Sequence, residues 1–498
     1  MEPRTLHYIA QACAGEQITG SAGALTTRVC TDSRQVAEGD LFVALRGERF
    51  DGHHFLEDVA RRRAIAAMVD RACLPMPPTS LAVIAVDNTR AALGRLAAQY
   101  RREFAVPIVA VAGSNGKSTT KELIAAALRP RLSTLWSEAS FNNDIGVPLT
   151  LLKLERRHQA AVLEVGTNHP GELAPLVAMI QPRFGVITSI GREHLEFFGD
   201  LAGVAAEEGM LAELLSTDGR LFLNATSELA EQIVRRSRAP VVRIGWDATN
   251  DWSAERIQAD DRGTRFIVRA PRPDFDGDFR MNLLGRHQVL NALLALAVSA
   301  EMGVSAEEAR RGLLECHPLK MRLQLWEADG VRVLDDSYNA NADSMLAALE
   351  TLRDLPCAGR RIAVLGDMAE LGEQAVAAHT EVGRRTAEVG VNQLCAIGKM
   401  AHVTAQAARD AGLRDVREFA DVAEAAPAIQ GLVRRNDLVL LKASRVAGLE
   451  RVSELLRQVR VPPSGGCGAG SNPRVESPGT EPPQGGTLAE CARFALIC

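Results

Sequence analysis

The segment Val106–Thr119, VPIVAVAGSNGKST, decides the fold of this chain. Its first half is a short apolar run rich in β-branched residues, which is typical of a buried parallel strand. The run leads directly into Gly113, and the residues from Ser118 to Leu128 then follow a helical pattern. A strand, a glycine loop and a helix in this order predict a binding site for the phosphates of a nucleotide.

The residue types of the loop fit this chemistry. Glycines allow backbone N–H groups to turn towards phosphate oxygens, and the N-terminus of the helix adds partial positive charge. Lys117 would neutralise the β- and γ-phosphates, and Ser118 or Thr119 would offer a hydroxyl to Mg²⁺. The predicted phosphate-binding residues are Gly113, Ser114, Asn115, Gly116, Lys117, Ser118 and Thr119.

The loop is the shorter G-x-x-G-K-[ST] form, because Val111 stands where the longer motif has its first glycine. A chance glycine-rich turn before a helix is the alternative interpretation. The loop alone also does not separate a kinase from an ATPase or a ligase.

Apolar runs like the one before Gly113 recur along the chain and predict parallel sheets. One group lies at 161–165, 186–190, 220–223 and 241–244, and a second lies at 331–334, 361–365, 394–397 and 438–441. We therefore predict an α/β protein of three domains: a small mixed α/β N-terminal domain (1–87), a central doubly wound sheet with the phosphate loop (88–317) and a C-terminal Rossmann-like sheet (318–461). Residues 462–498 are rich in Gly, Pro and Ser and are predicted to be a disordered, non-catalytic tail, with a short apolar end at 488–498.

The composition excludes several classes of function. At 498 residues the chain is too long for one core, and its formal charge of -5 gives no electrostatic reason to expect a nucleic-acid partner. No apolar run is long enough to cross a bilayer, and the first residues lack the apolar stretch of a signal peptide. The 9 scattered cysteines suggest reduced thiols, so we expect a cytoplasmic protein without membrane insertion.

Polar residues follow two strands of the predicted central sheet. Glu164 ends one strand, and His194 closes the segment Gly191–His194 after the next. Ligands collect beyond the carboxyl ends of parallel strands, so these side chains are expected near a Mg²⁺ bound to ATP, although imidazole is a less usual Mg²⁺ ligand. Each residue alone could equally be an ordinary packing residue.

A later helical run at 284–297 carries His287 and Asn291, which are four residues apart and share one face. This face could meet a purine base. The alternative is a plain core helix with two polar residues near its start.

Together, the loop, Glu164, His194 and the helix of His287 and Asn291 resemble the central domain of the Mur ligases. The resemblance extends over about 30–452. The segments 31–34, 39–44 and 47–53 are similar to the family's UDP-binding domain, and 141–150 is similar to the segment that faces the nucleotide substrate. The segments 335–341, 365–372 and 442–445 are similar to the C-terminal domain of the F-type members.

This resemblance implies an ATP-dependent, Mg²⁺-dependent peptide ligase. F-type Mur ligases join D-alanyl-D-alanine to UDP-N-acetylmuramoyl-tripeptide through an acyl phosphate, and these two small molecules are the expected partners of a monomer. The implied catalytic residues are Lys117, Glu164, His194 and Glu208, and the implied metal ligands are Ser118, Glu164, His194 and Glu208. His287, Asn291, Arg322 and Asp336 would join the loop in binding ATP. The implied substrate-binding residues are Thr31, Asp32, Ser33, Arg34, Asn142, Asn143, Asn339, Asn341, Lys442, Ser444 and Arg445.

The chain departs from the family pattern at a few positions. Glu208 stands where members commonly have a carbamylated lysine, and we hypothesise that Glu208, with Glu207, holds a second Mg²⁺. Milder departures are Gln288 for Asn, Met321 for Gly and Ala342 for Pro.

Two alternatives share the scaffold. The first is another Mur-type or folylpolyglutamate-synthetase-like amide ligase. The second is a non-catalytic relative that binds a nucleotide without turnover.

Overall fold

The computed structural model describes residues 1–74 and 81–460. The predicted disordered tail and its apolar end at 488–498 lie outside the described residues. Three larger sheets and one two-stranded sheet organise the described chain. The larger sheets follow the order that the sequence predicts, and helices pack against them. The domain boundaries at 87, 317 and 461 remain predictions.

The first sheet belongs to the N-terminal part of the chain. Its strand order is β2-β7-β6-β5-β4, with β2 antiparallel and the others parallel, and β1 pairs separately with β3. The strands are β1 Arg4–Thr5, β2 Glu16–Thr19, β3 Leu25–Thr26, β4 Val29–Cys30, β5 Leu41–Val43, β6 Ala66–Asp70 and β7 Ala82–Val86, and the helices are α1 Leu6–Ala12 and α2 Leu56–Arg61. The predicted small mixed α/β unit is confirmed.

The helix α3 (Thr89–Arg101) leads from this sheet to the central one. Asn88 caps it by accepting a hydrogen bond from the backbone N–H of Ala91.

The central sheet has nine strands in the order β16-β15-β14-β13-β12-β11-β8-β10-β9. Its strands are β8 Ile108–Ala112, β9 Thr134–Trp136, β10 Ala160–Glu164, β11 Phe184–Ile187, β12 Arg220–Asn224, β13 Val241–Gly245, β14 Trp252–Asp260, β15 Gly263–Arg269 and β16 Gly277–Met281. Its helices are α4 Lys117–Leu128, α5 Gly146–Leu151, α6 Leu173–Ile180, α7 Leu195–Phe198, α8 Leu201–Glu208, α9 Met210–Leu214, α10 Ala230–Arg236, α11 Arg286–Glu301 and α12 Ala306–Glu315.

Strand β8 lies inside this sheet and is buried on both faces. Ile108, Ala110 and Ala112 pack into the core that contains residues of α3 and α6, whereas Val109 and Val111 pack into the core that contains residues of α4 and α11. This alternation follows from the two-residue period of a strand. It explains why the apolar run of β8 is continuous.

The predicted doubly wound sheet is confirmed, but it is larger than predicted. Strands β14 to β16 extend it as an edge in which β15 and β16 run antiparallel. They were missed because their apolar residues alternate with exposed charged ones.

The third sheet has the order β17-β18-β22-β19-β20-β21, with only β17 antiparallel to its neighbour. Its strands are β17 Gln324–Ala328, β18 Val331–Asp335, β19 Arg361–Gly366, β20 Gln393–Ile397, β21 Asp415–Phe419 and β22 Leu438–Lys442, and its helices are α13 Ala342–Asp354, α14 Ala375–Glu388, α15 Ala401–Asp410, α16 Val422–Leu432 and α17 Glu450–Arg457. The four predicted strands are present, and the edge strands β17 and β21 were missed. No helix in residues 1–74 and 81–460 is both long and apolar enough to span a bilayer.

Candidate active site

The phosphate loop connects β8 to α4 and depends on its two glycines. Gly113 and Gly116 have φ angles of 114° and 87°, which side chains rarely adopt. A Cβ atom on Gly113 would lie 2.5 Å from Oγ1 of Thr188, and one on Gly116 would lie 2.7 Å from Oδ1 of Asn291. The loop therefore needs glycine for its conformation and for its close packing.

The loop is fixed to the segment that follows β11. The backbone N–H of Ser114 donates to the carbonyl of Ser189 at 2.9 Å, and Asn115 N–H donates to Oγ of Ser189 at 2.8 Å. The hydroxyl of Ser114 also accepts a hydrogen bond from the N–H of Gly191 at 2.8 Å. These bonds hold the loop in place without any contact to a ligand.

Lys117 is the first residue of α4 and lies among acidic side chains. Its Nζ donates to the carbonyl of Gly113 at 2.5 Å and to Oε1 of Glu193 at 3.4 Å. Burial lowers the pKa of Lys117, but the charges of Glu193, Glu208 and Glu164 outweigh it and raise that pKa above its ordinary value. Lys117 is therefore a fixed positive charge at the base of the loop.

Glu193 is a functional candidate that the sequence reasoning missed. It is 9% exposed, and burial raises the pKa of its carboxyl despite the neighbouring Lys117. The sequence signal for Glu193 is its place in the segment Gly191–His194, from which only His194 was predicted as a site residue.

Glu164 and Glu208 each leave one buried oxygen without a partner. Glu164 ends β10 and is 1% exposed; its Oε1 accepts from Nδ2 of Asn142 at 2.9 Å. Glu208 ends α8 and is also 1% exposed; its Oε2 accepts from the N–H of Gly113 at 2.7 Å, and burial raises its pKa to about 7. Oε2 of Glu164 and Oε1 of Glu208 have no hydrogen-bond partner among the described residues.

Unpaired buried carboxylate oxygens are costly, and a bound cation would remove that cost. Within residues 1–74 and 81–460, no three His, Cys, Asp or Glu side chains are grouped closely enough to hold a metal ion by themselves. Mg²⁺ usually takes only one or two carboxylates from the protein and completes its shell with phosphates and water. Glu164 and Glu208 therefore fit a Mg²⁺ that is bound together with a nucleotide.

The other two predicted metal ligands have protein partners. Oγ of Ser118 is 3.3 Å from Oγ of Ser140. Nδ1 of His194 is 2.5 Å from a carboxylate oxygen of Glu370, which follows β19, and Nε2 of His194 is 4.0 Å from Oε2 of Glu193. Their roles as metal ligands stay predictions.

Both carboxylate oxygens of Glu207 have protein partners, and its role beside Glu208 stays a prediction. Its Oε1 accepts from the N–H of Leu173, and its Oε2 accepts from the N–H of Gly171, both at 2.8 Å. Glu207 therefore stabilises the start of α6. Consecutive residues of a helix point about 100° apart, which is why Glu207 and Glu208 face different surroundings.

Replacement of Glu208 by alanine is expected to reduce turnover by about 100-fold and to raise the Mg²⁺ concentration needed for half-maximal rate. The change removes a charge beside Lys117 and the acceptor of the Gly113 N–H. Steady-state phosphate release at varied Mg²⁺ measures both effects, and Glu208→Gln separates them because its amide oxygen can still accept from Gly113. Glu207→Ala is the control: it should lower thermal stability and leave the Mg²⁺ requirement unchanged. A Glu208→Ala enzyme with ordinary turnover and ordinary Mg²⁺ dependence would refute the role of Glu208.

Helix α11 lies under the loop. Nδ2 of Asn291 donates to Oε1 of Gln288 at 2.8 Å, and the Asn291 amide packs against Gly116. Burial, with a smaller contribution from Lys442, lowers the pKa of His287 to about 4, so its ring is neutral at pH 7. Asn291 thus supports the loop, and the predicted contact of this face with a purine base stays a prediction.

A pocket beside Thr119 lies where α4, the start of α11 and the connection to β17 meet. Gln288 and Arg322 give it polar groups, and Leu284 and Leu319 give it apolar walls. Its lining therefore combines hydrogen-bonding groups with apolar walls.

Residues of the third sheet reach the phosphate loop. Nδ2 of Asn341 donates to Oδ1 of Asn115 at 3.0 Å. Arg322 places its guanidinium 4.2 Å from the ring centre of Tyr338 and contacts Oγ of Ser140 at 3.4 Å. The structure therefore brings Asn341 to the loop and Arg322 to Ser140, and their contacts with ATP or substrate stay predictions.

The remaining predicted residues of this part form a cluster around Lys442. Its buried Nζ lies 2.5 Å from Oδ2 of Asp336 and 3.0 Å from the carbonyl of Asn339. Burial raises the pKa of Asp336, and the charge of Lys442 opposes that shift. Ser444 donates to the carbonyl of Ala340 at 3.1 Å. Arg445 is half-exposed, 3.2 Å from a carboxylate oxygen of Glu450.

The predicted substrate residues outside this cluster lie on two other turns. Thr31, Asp32, Ser33 and Arg34 form the turn after β4, where a carboxylate oxygen of Asp32 is 2.7 Å from Nη2 of the exposed Arg34. Oδ1 of Asn143 accepts from the N–H of Gly146 at 2.9 Å, so Asn143 stabilises the start of α5.

Two of the departures from the family pattern have structural consequences. Met321 has a φ of 63°, a left-handed conformation that explains why glycine suits this position. Ala342 is the first residue of α13, a position at which proline is also well tolerated.

Comparison with known proteins places these features in one family. Residues 26–101 match the Mur ligase family catalytic domain, residues 111–299 the Mur ligase middle domain, and residues 321–445 the Mur ligase glutamate ligase domain. The UDP-N-acetylmuramoyl-tripeptide–D-alanyl-D-alanine ligase of Escherichia coli (strain K12) is 37% identical over 436 residues, which cover 86% of this chain and 93% of that protein. The ligase of the same name from Bacillus subtilis (strain 168) is 33% identical and covers 85% of this chain and 92% of its own length.

Solved structures of Mur ligases resemble this structure as well. MurF from Acinetobacter baumannii superposes with a TM-score of 0.83 at 31% identity, covering 92% of this chain and 99% of that one. MurF ligase from Thermotoga maritima in complex with ADP superposes with a TM-score of 0.75 at 26% identity, covering 86% of this chain and 97% of that one. The chain belongs to the Mur ligase family.

Proposed function

We propose that this protein is the ATP-dependent ligase that joins D-alanyl-D-alanine to UDP-N-acetylmuramoyl-tripeptide, giving the UDP-linked pentapeptide precursor of peptidoglycan, ADP and phosphate. The relatives that cover most of the chain carry this name. The structural observation that carries the proposal is Lys117, which lies at the base of the phosphate loop among the buried carboxylates Glu164, Glu193 and Glu208.

The first step activates a carboxylate. The terminal carboxylate oxygen of the tripeptide attacks the γ-phosphorus of ATP, a P–O bond forms, and ADP leaves with the electrons of the broken β–γ bridge. Backbone N–H groups at the start of α4 and the ammonium of Lys117 stabilise the charge on the transferring group. Mg²⁺, held by Glu164, Glu208 and the hydroxyl of Ser118, supplies further charge neutralisation when it is bound.

The second step forms the amide. The free amine of D-alanyl-D-alanine attacks the acyl phosphate carbon, a C–N bond forms, phosphate leaves, and the amine loses a proton. Water would compete for the acyl phosphate, so the site has to be covered. The contacts of Asn341 and Arg322 with the phosphate-loop region support the idea that the third sheet forms this cover.

The binding sites of the ligands are part of the same proposal. We propose that the adenine ring binds beside Thr119, Gln288 and Arg322. The turn of Thr31 to Arg34 would hold the UDP moiety, and the cluster around Lys442 would receive the dipeptide. We further propose that the enzyme works as a monomer in the cytoplasm, without nucleic-acid or membrane partners.

The test is direct. The purified protein is incubated with ATP, Mg²⁺, UDP-N-acetylmuramoyl-tripeptide and one amine from a panel of D-alanyl-D-alanine, glutamate and diamino acids, and products are identified by mass spectrometry. We expect the pentapeptide with D-alanyl-D-alanine only. A product with another amine would favour another Mur-type or folylpolyglutamate-synthetase-like ligase, and phosphate release that needs neither substrate would contradict the proposal.

A further inference from the structure

Arg192, between β11 and α7, connects the central sheet to two helices of the third sheet. Its Nε donates to Oδ1 of Asp343 at 2.8 Å, and its backbone N–H donates to Oδ2 of the same carboxylate at 2.7 Å. Its Nη1 donates to Oε2 of Glu381 at 2.6 Å. One residue therefore binds a carboxylate at the start of α13 and another on α14.

This cluster is closely packed and partly withdrawn from water. A Cβ atom on Gly191 would lie 2.6 Å from Oδ2 of Asp343, so the glycine before Arg192 makes the approach possible. The side chains of Arg192, Asp343 and Glu381 are 26%, 35% and 33% exposed. Such pairs are less screened than exposed ion pairs. Nε and Nη2 of Arg192 both face Oδ1 of Asp343, and the backbone N–H donates to Oδ2, so the direction of the contact is fixed.

The cluster lies beside contacts that matter for the reaction. Asp343 is two residues after Asn341, the N-cap of α13, whose side chain donates to Asn115 of the phosphate loop. On the other side, Arg192 precedes Glu193, which contacts Lys117. Arg192 thus bonds to the helix that begins next to Asn341, and it adjoins a residue that contacts the phosphate loop.

We infer that Arg192 is a positioning residue for the ligation, an inference that rests on the proposed function. Its bonds to Asp343 and Glu381 hold the start of α13, and with it Asn341, over the phosphate loop. Arg192 itself contacts neither reacting group. Its bonds raise the fraction of molecules in which the third sheet lies with Asn341 over the phosphate loop.

This role predicts a particular kinetic pattern. When the competent fraction falls, the apparent affinity for ATP falls by the same factor, whereas saturating substrates restore the competent arrangement. We expect Arg192→Ala to raise KM for ATP by about tenfold and to change kcat by less than about threefold. Arg192→Lys should have a KM for ATP between those of the unmodified enzyme and Arg192→Ala. Lysine keeps the charge but lacks the several nitrogens of the guanidinium.

A matched control is available elsewhere on the third sheet. Arg332 of β18 donates from Nη1 to Oδ1 of Asp261, in the turn between β14 and β15, at 2.7 Å. Arg332→Ala also removes an ion pair between the two sheets, but away from the loop, and should change KM for ATP by less than about twofold.

The experiment combines kinetics with hydrogen exchange of the full-length protein before substrates are added. Arg192→Ala and the gentler Asp343→Asn should accelerate exchange at 113–119 and at 339–345, and Arg332→Ala should not. The double variant Arg192→Ala/Asp343→Asn should raise KM for ATP and accelerate exchange no more than Arg192→Ala alone. Unchanged KM and exchange in Arg192→Ala, or equal effects of Arg332→Ala, would overturn the role of Arg192. If the unmodified protein ligates none of the amines, the proposed function fails, and the exchange data still decide whether Arg192 fixes the loop contact.

Discussion

Replacement of Lys117 by methionine is expected to lower kcat by about 1,000-fold or more, the largest effect of any single change in this protein. Methionine keeps most of the side-chain volume but removes the charge that faces the β- and γ-phosphates. It also leaves Glu193 and Glu208 without their buried counter-charge, so their carboxyl groups should take up protons more readily.

The measurement is phosphate release and pentapeptide formation at saturating substrates. Lys117→Arg is the control, since it keeps the charge and should retain more activity than Lys117→Met without reaching that of the unmodified enzyme. Circular dichroism verifies that each variant is folded. Turnover of Lys117→Met within about tenfold of the unmodified enzyme would mean that the transferring phosphate lies elsewhere.

Replacement of Glu164 by glutamine is expected to lower kcat by about 100-fold to 1,000-fold and to raise the Mg²⁺ concentration needed for half-maximal rate. The new side chain can still accept the hydrogen bond from Nδ2 of Asn142 through its amide oxygen. At the position of the unpaired Oε2, however, it brings an NH₂ group that repels a cation. The fold should therefore be preserved while the metal site is lost.

Titration of activity with Mg²⁺ separates this effect from a general loss of function. Glu172→Gln is the matched control: Glu172 follows the same strand, but its carboxylate is half-exposed and accepts from the N–H groups of Asn168 and His169. That variant should keep its Mg²⁺ requirement. A Glu164→Gln enzyme with turnover and Mg²⁺ dependence like those of the control would show that Glu164 binds no catalytic metal.

The buried strands were predictable from the sequence because their apolar runs are continuous. Strand β8 is the clearest case, since both of its faces are covered by helices. Strands β15 and β21 were missed because they lie towards sheet edges and carry exposed charged residues, as in Asp415–Phe419. Their place is set by pairing with strands already formed, which local patterns do not show.

The same contrast holds for the site. Lys117 and Glu164 were found because a glycine loop and a strand end mark them in the sequence. Glu193 and Arg192 were missed because their importance comes from partners that are distant along the chain: Arg192 and Asp343 are 151 positions apart. The different surroundings of Glu207 and Glu208 could not be read from the sequence, because neighbouring residues of a helix do not share a face.

The most direct measurement is a crystal structure of the protein with a non-hydrolysable ATP analogue, Mg²⁺ and UDP-N-acetylmuramoyl-tripeptide. We expect the triphosphate to lie along Gly113 to Thr119, with Nζ of Lys117 bonded to the β- and γ-phosphates and the tripeptide carboxylate facing the γ-phosphorus. A triphosphate bound away from this loop, or a Lys117 ammonium that contacts only Gly113 and Glu193 while the nucleotide is present, would contradict it.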